Sequence, residues 1–194
     1  MHDKLIIALG NPGDEYKNTR HNIGFQILDT FKEKHQVQTK KDKNLLCIHG
    51  KGNAFDYNLI LAWPATFMNN SGNAVIKLLN WYKLSSKDLI VVHDDVALNL
   101  GKIRISYESG SAGHHGVESI IQTLGGNKEF ARLRIGIGPD PGGDIRSNYV
   151  LEKFKEEEKN ILKKVIDLSI DSIETIITKG HEEAMNKFNG MEVT

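Results

Sequence analysis

The chain of 194 residues has one cysteine, four prolines and no excess of either charge. A lone Cys47 closes no internal disulfide, so the packed core must carry the fold, and such sparing use fits a reducing compartment. No apolar run approaches the roughly 20 residues that span a bilayer, so no membrane association is expected. The apolar stretch after Lys4 lacks the length and small-residue cleavage site of a secretory leader, which makes the cytoplasm the expected location. Lys plus Arg number 25 and Asp plus Glu also 25. The whole-chain field therefore neither favours nor excludes nucleic acid, and any polyanion must be met by a local patch. Internal repeats, low-complexity segments and long Pro/Gly/Ser linkers are absent too. One domain spanning 1–194 is expected, a size at which roughly 70% of the unfolded surface is buried.

The chain is organised around GNPGDEYKNTRHN, residues 10 to 22. An apolar run, Leu5 to Leu9, predicts a short buried strand that Gly10, Pro12 and Gly13 end in a turn. Phe25, Ile27, Leu28 and Phe31 then recur at helical spacing over 24–35. Asn11 and His21 thus stand at the two ends of a strand-to-helix crossover, where open α/β folds keep their ligands. Residues 36–44 are expected to be a polar connection. Two strands, 45–49 and 57–63, follow as a hairpin turning at Gly52-Asn53. A helix over 70–84 points Val75, Leu78, Leu79 and Tyr82 inward. Leu89 to His93 is a continuous apolar strand ending in Asp94-Asp95, and 102–107 alternates as a half-exposed strand does. A helix over 115–124, a strand over 133–137 and a glycine- and proline-rich loop over 138–144 come next. A long C-terminal helix is striped by Ile161, Val165, Ile166, Ile170, Ile173 and Ile177. The fold class expected is α/β, a single domain with a twisted mixed sheet surrounded by helices.

Polar clusters fall at strand ends or loops: Asn11 and His21, ATFMNNSG at 65–72, VVHDD at 91–95, GSAGHHG at 110–116 and ARLRIGIG at 131–138. Each is weak alone. In this order they make the chain resemble the bacterial-type peptidyl-tRNA hydrolases, from about Lys4 to the end of the C-terminal helix. The resemblance implies a monomeric α/β enzyme that needs no metal or other cofactor. It would cleave the ester joining a peptide to the terminal ribose of tRNA, recycling tRNA from abandoned translation.

The residues support that chemistry. An ester needs an activated water, a base for its proton and donors facing the oxygen that becomes negative. His21 is the expected base, since an unperturbed imidazole titrates near neutrality, and Asp94 the carboxylate that fixes its tautomer. The resemblance assigns the same pair. Asn11 and Asn69 offer neutral amides for a peptide backbone, as the matching family asparagines do, and Asn11 is counted with the catalytic residues. Asn70 is expected to cap the helix that follows. Phe67 and Met68 offer either an apolar wall for substrate or ordinary core packing, and Tyr16 joins Phe67 among the substrate-binding candidates. His114 matches the family's histidine on the mobile wall of the cleft. At position 115 the family usually has asparagine, so His115 puts an imidazole where a water-positioning amide is expected.

Arg134 matches the family's phosphate-binding arginine and can hold a phosphate bidentately. Two family lysines correspond here to Ser106 and Gly143 and are missing. Arg104 and Lys102, on the same strand face as position 106, are candidates to replace the first, and Arg146 the second. Three rival classes fit the residues less well. A dinucleotide-binding fold lacks G-x-G-x-x-G. A metal-dependent hydrolase built from His21, His93, Asp94, His114 and His115 lacks a ligand spacing such as H-E-x-x-H. A non-catalytic RNA-binding module is suggested by a chloroplast intron-splicing factor of the same fold, but Asn11, His21, Asn69 and Asp94 are all in place here.

Overall fold

The computed structural model describes residues 2–194 and, within them, every side chain but that of Asp144. Its centre is one seven-stranded sheet in the order β2-β3-β4-β1-β5-β7-β6. The strands are β1 (His2–Ala8), β2 (Gln38–Asp42), β3 (Cys47–Ala54), β4 (Tyr57–Pro64), β5 (Leu89–Asn99), β6 (Ile103–Tyr107) and β7 (Ala131–Gly138). β4, β1, β5 and β7 run parallel, and antiparallel β2, β3 and β6 complete the two edges. Around them lie α1 (Ile23–Lys34), α2 (Ser71–Tyr82), α3 (His115–Thr123), α4 (Arg146–Tyr149), α5 (Lys159–Lys179) and α6 (His181–Phe188). This is the expected class, a mixed sheet between helices.

The run Leu5–Leu9 is apolar without a break because both faces of β1 are covered. Ile6 and Ala8 join α1, α5 and α6 in one core, while Leu5, Ile7 and Leu9 join α2 and α3 in the other. From β1 the chain crosses to the far edge and builds inward through β2, β3 and β4 until it lies beside β1 again, then crosses through α2 to add β5 on the other side of β1. That reversal opens a crevice beyond the carboxyl ends of β1 and β5. α1 starts against that crevice. A Cβ at Gly24 would lie 2.6 Å from the Val92 carbonyl oxygen and 2.9 Å from that of Leu9. Only a residue without a side chain lets the helix begin so near the ends of β1 and β5, and this brings His21 beside Asp94.

Four expectations change. Residues 36–44 contain β2, whose QTKKD is exposed on both faces; an edge strand held by backbone bonds to β3 has no alternating pattern to detect. The hairpin turns at Phe55 and Asp56, both with positive φ. Gly52 and Asn53 pair inside β3 with Leu59 and Asn58. β5 runs on past His93 to Asn99, so Asp94 and Asp95 lie within the strand, before a register shift. The last helix is two, α5 and α6, divided at Gly180 (φ 86°). The isoleucine stripe of α5 is as expected, with Val165, Ile170, Ile173 and Ile177 buried.

Candidate active site

The segment from Asn11 to Asn22 is closed on itself by a pair of amide bonds. The Asn11 backbone N–H donates to Asn22 Oδ1, and Asn22 Nδ2 donates back to the Asn11 carbonyl, both at 2.9 Å. Asn11 Oδ1 accepts from the Met68 backbone N–H at 2.9 Å. Its side-chain oxygen is thereby engaged, which leaves Nδ2 as the group able to donate to a ligand. The next link runs to the far end of the chain. His21 N–H donates to the Val150 carbonyl at 2.8 Å, and Arg20 N–H to that of Glu152 at 2.9 Å. The buried Arg20 guanidinium grips Glu158 with two bonds, 2.9 and 2.8 Å, and lies against the Tyr149 and Phe154 rings. His21 is therefore held by its backbone and leaves its ring to the chemistry.

That ring donates from Nδ1 to Asp94 Oδ1 at 2.8 Å. The same oxygen accepts from His114 Nε2 at 2.9 Å. His114 is the N-cap of α3, and its Nδ1 accepts the Val117 N–H at 3.3 Å. An imidazole that accepts at Nδ1 must carry its proton on Nε2, so the cap fixes the tautomer that Asp94 requires. A Cβ at Gly116 would lie 2.5 Å from Met68 Sδ, so the start of α3 is pressed against the turn that carries Phe67 and Asn69. His93 lies buried behind, its Nδ1 donating to the Asp94 carbonyl at 2.7 Å and its ring edge-on to His114.

Burial alone would raise the Asp94 pKa, but the imidazoles of His21 and His114 outweigh it and hold the carboxyl well below its usual range. Burial would lower that of His21; the charge and hydrogen bond of Asp94 reverse the sign and raise it above 6.5. His93, wholly enclosed and close to His114, is pushed well below that value and stays neutral. His21 Nε2 has no protein partner among the described residues, which leaves a ring nitrogen able to accept a proton. His21, Asp94 and His114 can also offer one ligand atom each to a cation within 4.8 Å. In the observed arrangement, however, both nitrogens spend a proton on Asp94, which hydrogen bonding explains in full.

A cavity of about 620 Å³ opens over this cluster, lined by Asn11, His21, Asp94, His114, His115, Arg134 and Arg146 among others. His115 is the exposed first residue of α3, and its ring has no hydrogen-bond partner among the described residues. Asn69 and Phe67 lie on the short turn before α2. Asn69 is exposed, Phe67 is 56% exposed and meets the Tyr16 ring edge-on, while Met68 is core. The alternative left open for Phe67 and Met68 divides between them. Asn70 occupies the N-cap of α2, but its side chain accepts no helix N–H.

The cations are less free than their sequence suggests. Arg134 donates from Nε and Nη2 to Asp95 Oδ2 at 2.7 and 2.5 Å, Arg146 is clasped by Asp140, and Lys102 pairs with Glu192 at 3.3 Å. Arg104, the strand partner of Arg134 on β6, is exposed and has no acidic partner among the described residues. Arg134 and Arg146 line the cavity; Lys102 and Arg104 do not.

A sequence model described as peptidyl-tRNA hydrolase matches residues 5–194. The chain belongs to the peptidyl-tRNA hydrolase family. It is 41% identical over 188 residues to the peptidyl-tRNA hydrolase of Clostridium botulinum, covering 97% of this chain and 96% of that one. A relative from Clostridium perfringens is 41% identical over 189 residues, covering 97% and 98%. The crystal structure of the peptidyl-tRNA hydrolase from Acinetobacter baumannii superposes with a TM-score of 0.92 at 32% identity, covering 97% of this chain and 95% of that one.

Within the peptidyl-tRNA hydrolase site, sequence reading missed Asn22, Arg20 and the segment 150–152, which hold Asn11 and His21 in place. Asn22 and Arg20 flank His21 and carried that signal; the backbone carbonyls of 150–152 carry none. If Asp94 is what raises the His21 pKa, replacing its carboxylate leaves burial unopposed. In Asp94→Asn the acid limb of kcat/KM is expected to move to lower pH while the plateau falls, measured from pH 5 to 8.5. A limb that stays in place shows that His21 is not the titrating group.

Proposed function

We propose that the chain hydrolyses the ester between a peptide and the terminal ribose of tRNA, with His21 as general base. The observation that carries this is a buried His21–Asp94 pair whose free Nε2 opens into a cavity beside a donating Asn11 amide. His21 Nε2 takes a proton from water as its oxygen attacks the ester carbonyl carbon. Asp94 stabilises the imidazolium so formed without itself being protonated. The carbonyl electrons move onto oxygen, where Asn11 Nδ2–H is placed to donate. Collapse of the tetrahedral species breaks the bond to the ribose oxygen, which takes the proton back from His21. A peptide carboxylic acid and a free ribose hydroxyl result.

Asn69, Phe67 and Tyr16 receive the acyl part beside Asn11, and His115 donates to the attacking water in place of the family's amide. Arg134 meets a tRNA phosphate, with Arg146, Arg104 and Lys102 as weaker contributors. A non-catalytic RNA-binding role would have no use for the His21–Asp94 pair. No described helix is long and apolar enough to cross a membrane. A monomer working in the cytoplasm is part of the same proposal, resting on the family resemblance and on the single buried Cys47, whose thiol burial pushes up to about 12.

His21→Ala is expected to lower turnover by about 10²- to 10⁴-fold, the usual worth of a positioned base, with tRNA affinity nearly intact. Wild-type rates in that variant would place the base elsewhere. Turnover of the native enzyme should also persist after exhaustive chelation.

Binding of the polyanion should weaken as salt rises. Arg134→Ala together with Arg104→Ala is expected to raise KM and flatten the plot of log affinity against log salt, by about one unit for each phosphate that is no longer neutralised. An unchanged slope would put the tRNA on another face.

A further inference from the structure

A second cavity, of about 560 Å³, shares Asn11 with the reaction cleft and is lined by Asn22 where the cleft is lined by His21. Its lining is of another kind. Phe25, Ile48, Trp63 and Pro64 give it apolar surface, and the charges around them are mixed, Lys17, Lys32 and Lys41 against Asp14 and Asp29. Ile48 is 41% exposed although it stands opposite Trp63 in the β3–β4 register. The amide nitrogen of Gln26, also in the lining, is buried without a partner among the described residues.

The reaction cleft has its arginines, Arg134 and Arg146, away from this cavity, and those are the groups a phosphate seeks. The acyl part must then leave the ester on the side of Asn11, where the second cavity begins. Mixed charge and apolar surface suit a neutral peptide and not a polyanion. We propose that this cavity is a subsite for the peptide residues beyond the one esterified to tRNA, an inference that rests on the hydrolase reading. An apolar side chain of the peptide packs on Ile48 and Trp63, and a peptide carbonyl accepts from Gln26 Nε2.

The test compares acetyl-alanyl-tRNA with acetyl-leucyl-leucyl-alanyl-tRNA on the full-length protein. The longer substrate is expected to show about a 10-fold lower KM, the worth of one apolar side chain covered at an open site. Ile48→Asp should erase that advantage and leave acetyl-alanyl-tRNA hydrolysis unchanged. Gln26→Ala, which adds no charge, should reduce the advantage by a few-fold and so guards against a misfolded first variant. Equal KM values for the two substrates, or an advantage that survives both substitutions, overturns the subsite while the hydrolase reading stands. Hydrolysis of neither substrate by the native protein overturns both.

Discussion

One carboxylate oxygen, Asp94 Oδ1, accepts a hydrogen bond from His21 and another from His114. The rest of the site can be understood as what makes this arrangement stable. A buried carboxylate without partners would be protonated or displaced. Two imidazole donors keep it ionised, and the ionised oxygen in turn directs the His21 lone pair into the cleft. Each imidazole is fixed by something outside the cluster. His114 is fixed as the cap of α3, and His21 by the Val150 carbonyl, in the segment that precedes α5. Elements distant in sequence are thus committed to one geometry before any substrate arrives, which is the form of preorganisation that lowers a barrier.

The balanced charge of the chain is consistent with its substrate once the ion pairs are considered. Arg134 and Arg146 face the cleft but rest on Asp95 and Asp140. On the proposed reading of these arginines, a phosphate would have to compete with a carboxylate already in place, and only one delivered to the right position by the rest of the tRNA would have the advantage. Exposed pairs such as that of Arg146 are weak and easily exchanged. The Arg134 pair is better covered and holds the guanidinium in one orientation.

Much of this was legible in the sequence because it depends on periodicity or on short motifs. The α5 stripe, the alternation of Ile103 and Ile105, and the placement of Asn11 and His21 at the two ends of the crossover from β1 to α1 all follow from local patterns. What escaped depends on backbone groups or on remote partners. β2 is a strand only through its bonds to β3, and its side chains face solvent on both sides. The Phe55-Asp56 turn puts two non-glycine residues at positive φ while Gly52 goes to a close approach with Val37. Glu192 and Asp140 neutralise cations at a distance or from a loop that no spacing rule connects to them. Asn22, whose amide holds Asn11 by its main chain, resembles any helix-capping asparagine until its partner is seen.

The central claim is that His21 is held as the Nδ1–H tautomer by an ionised Asp94, with Nε2 free. Nitrogen NMR of the imidazole rings through a pH titration reads this directly. Expected are an Nδ1–H, Nε2-acceptor signature for neutral His21, with a titration midpoint above pH 6.5, and the opposite Nε2–H tautomer for His114. A His21 that is protonated on Nε2 when neutral, or that titrates below 6.5, would contradict it.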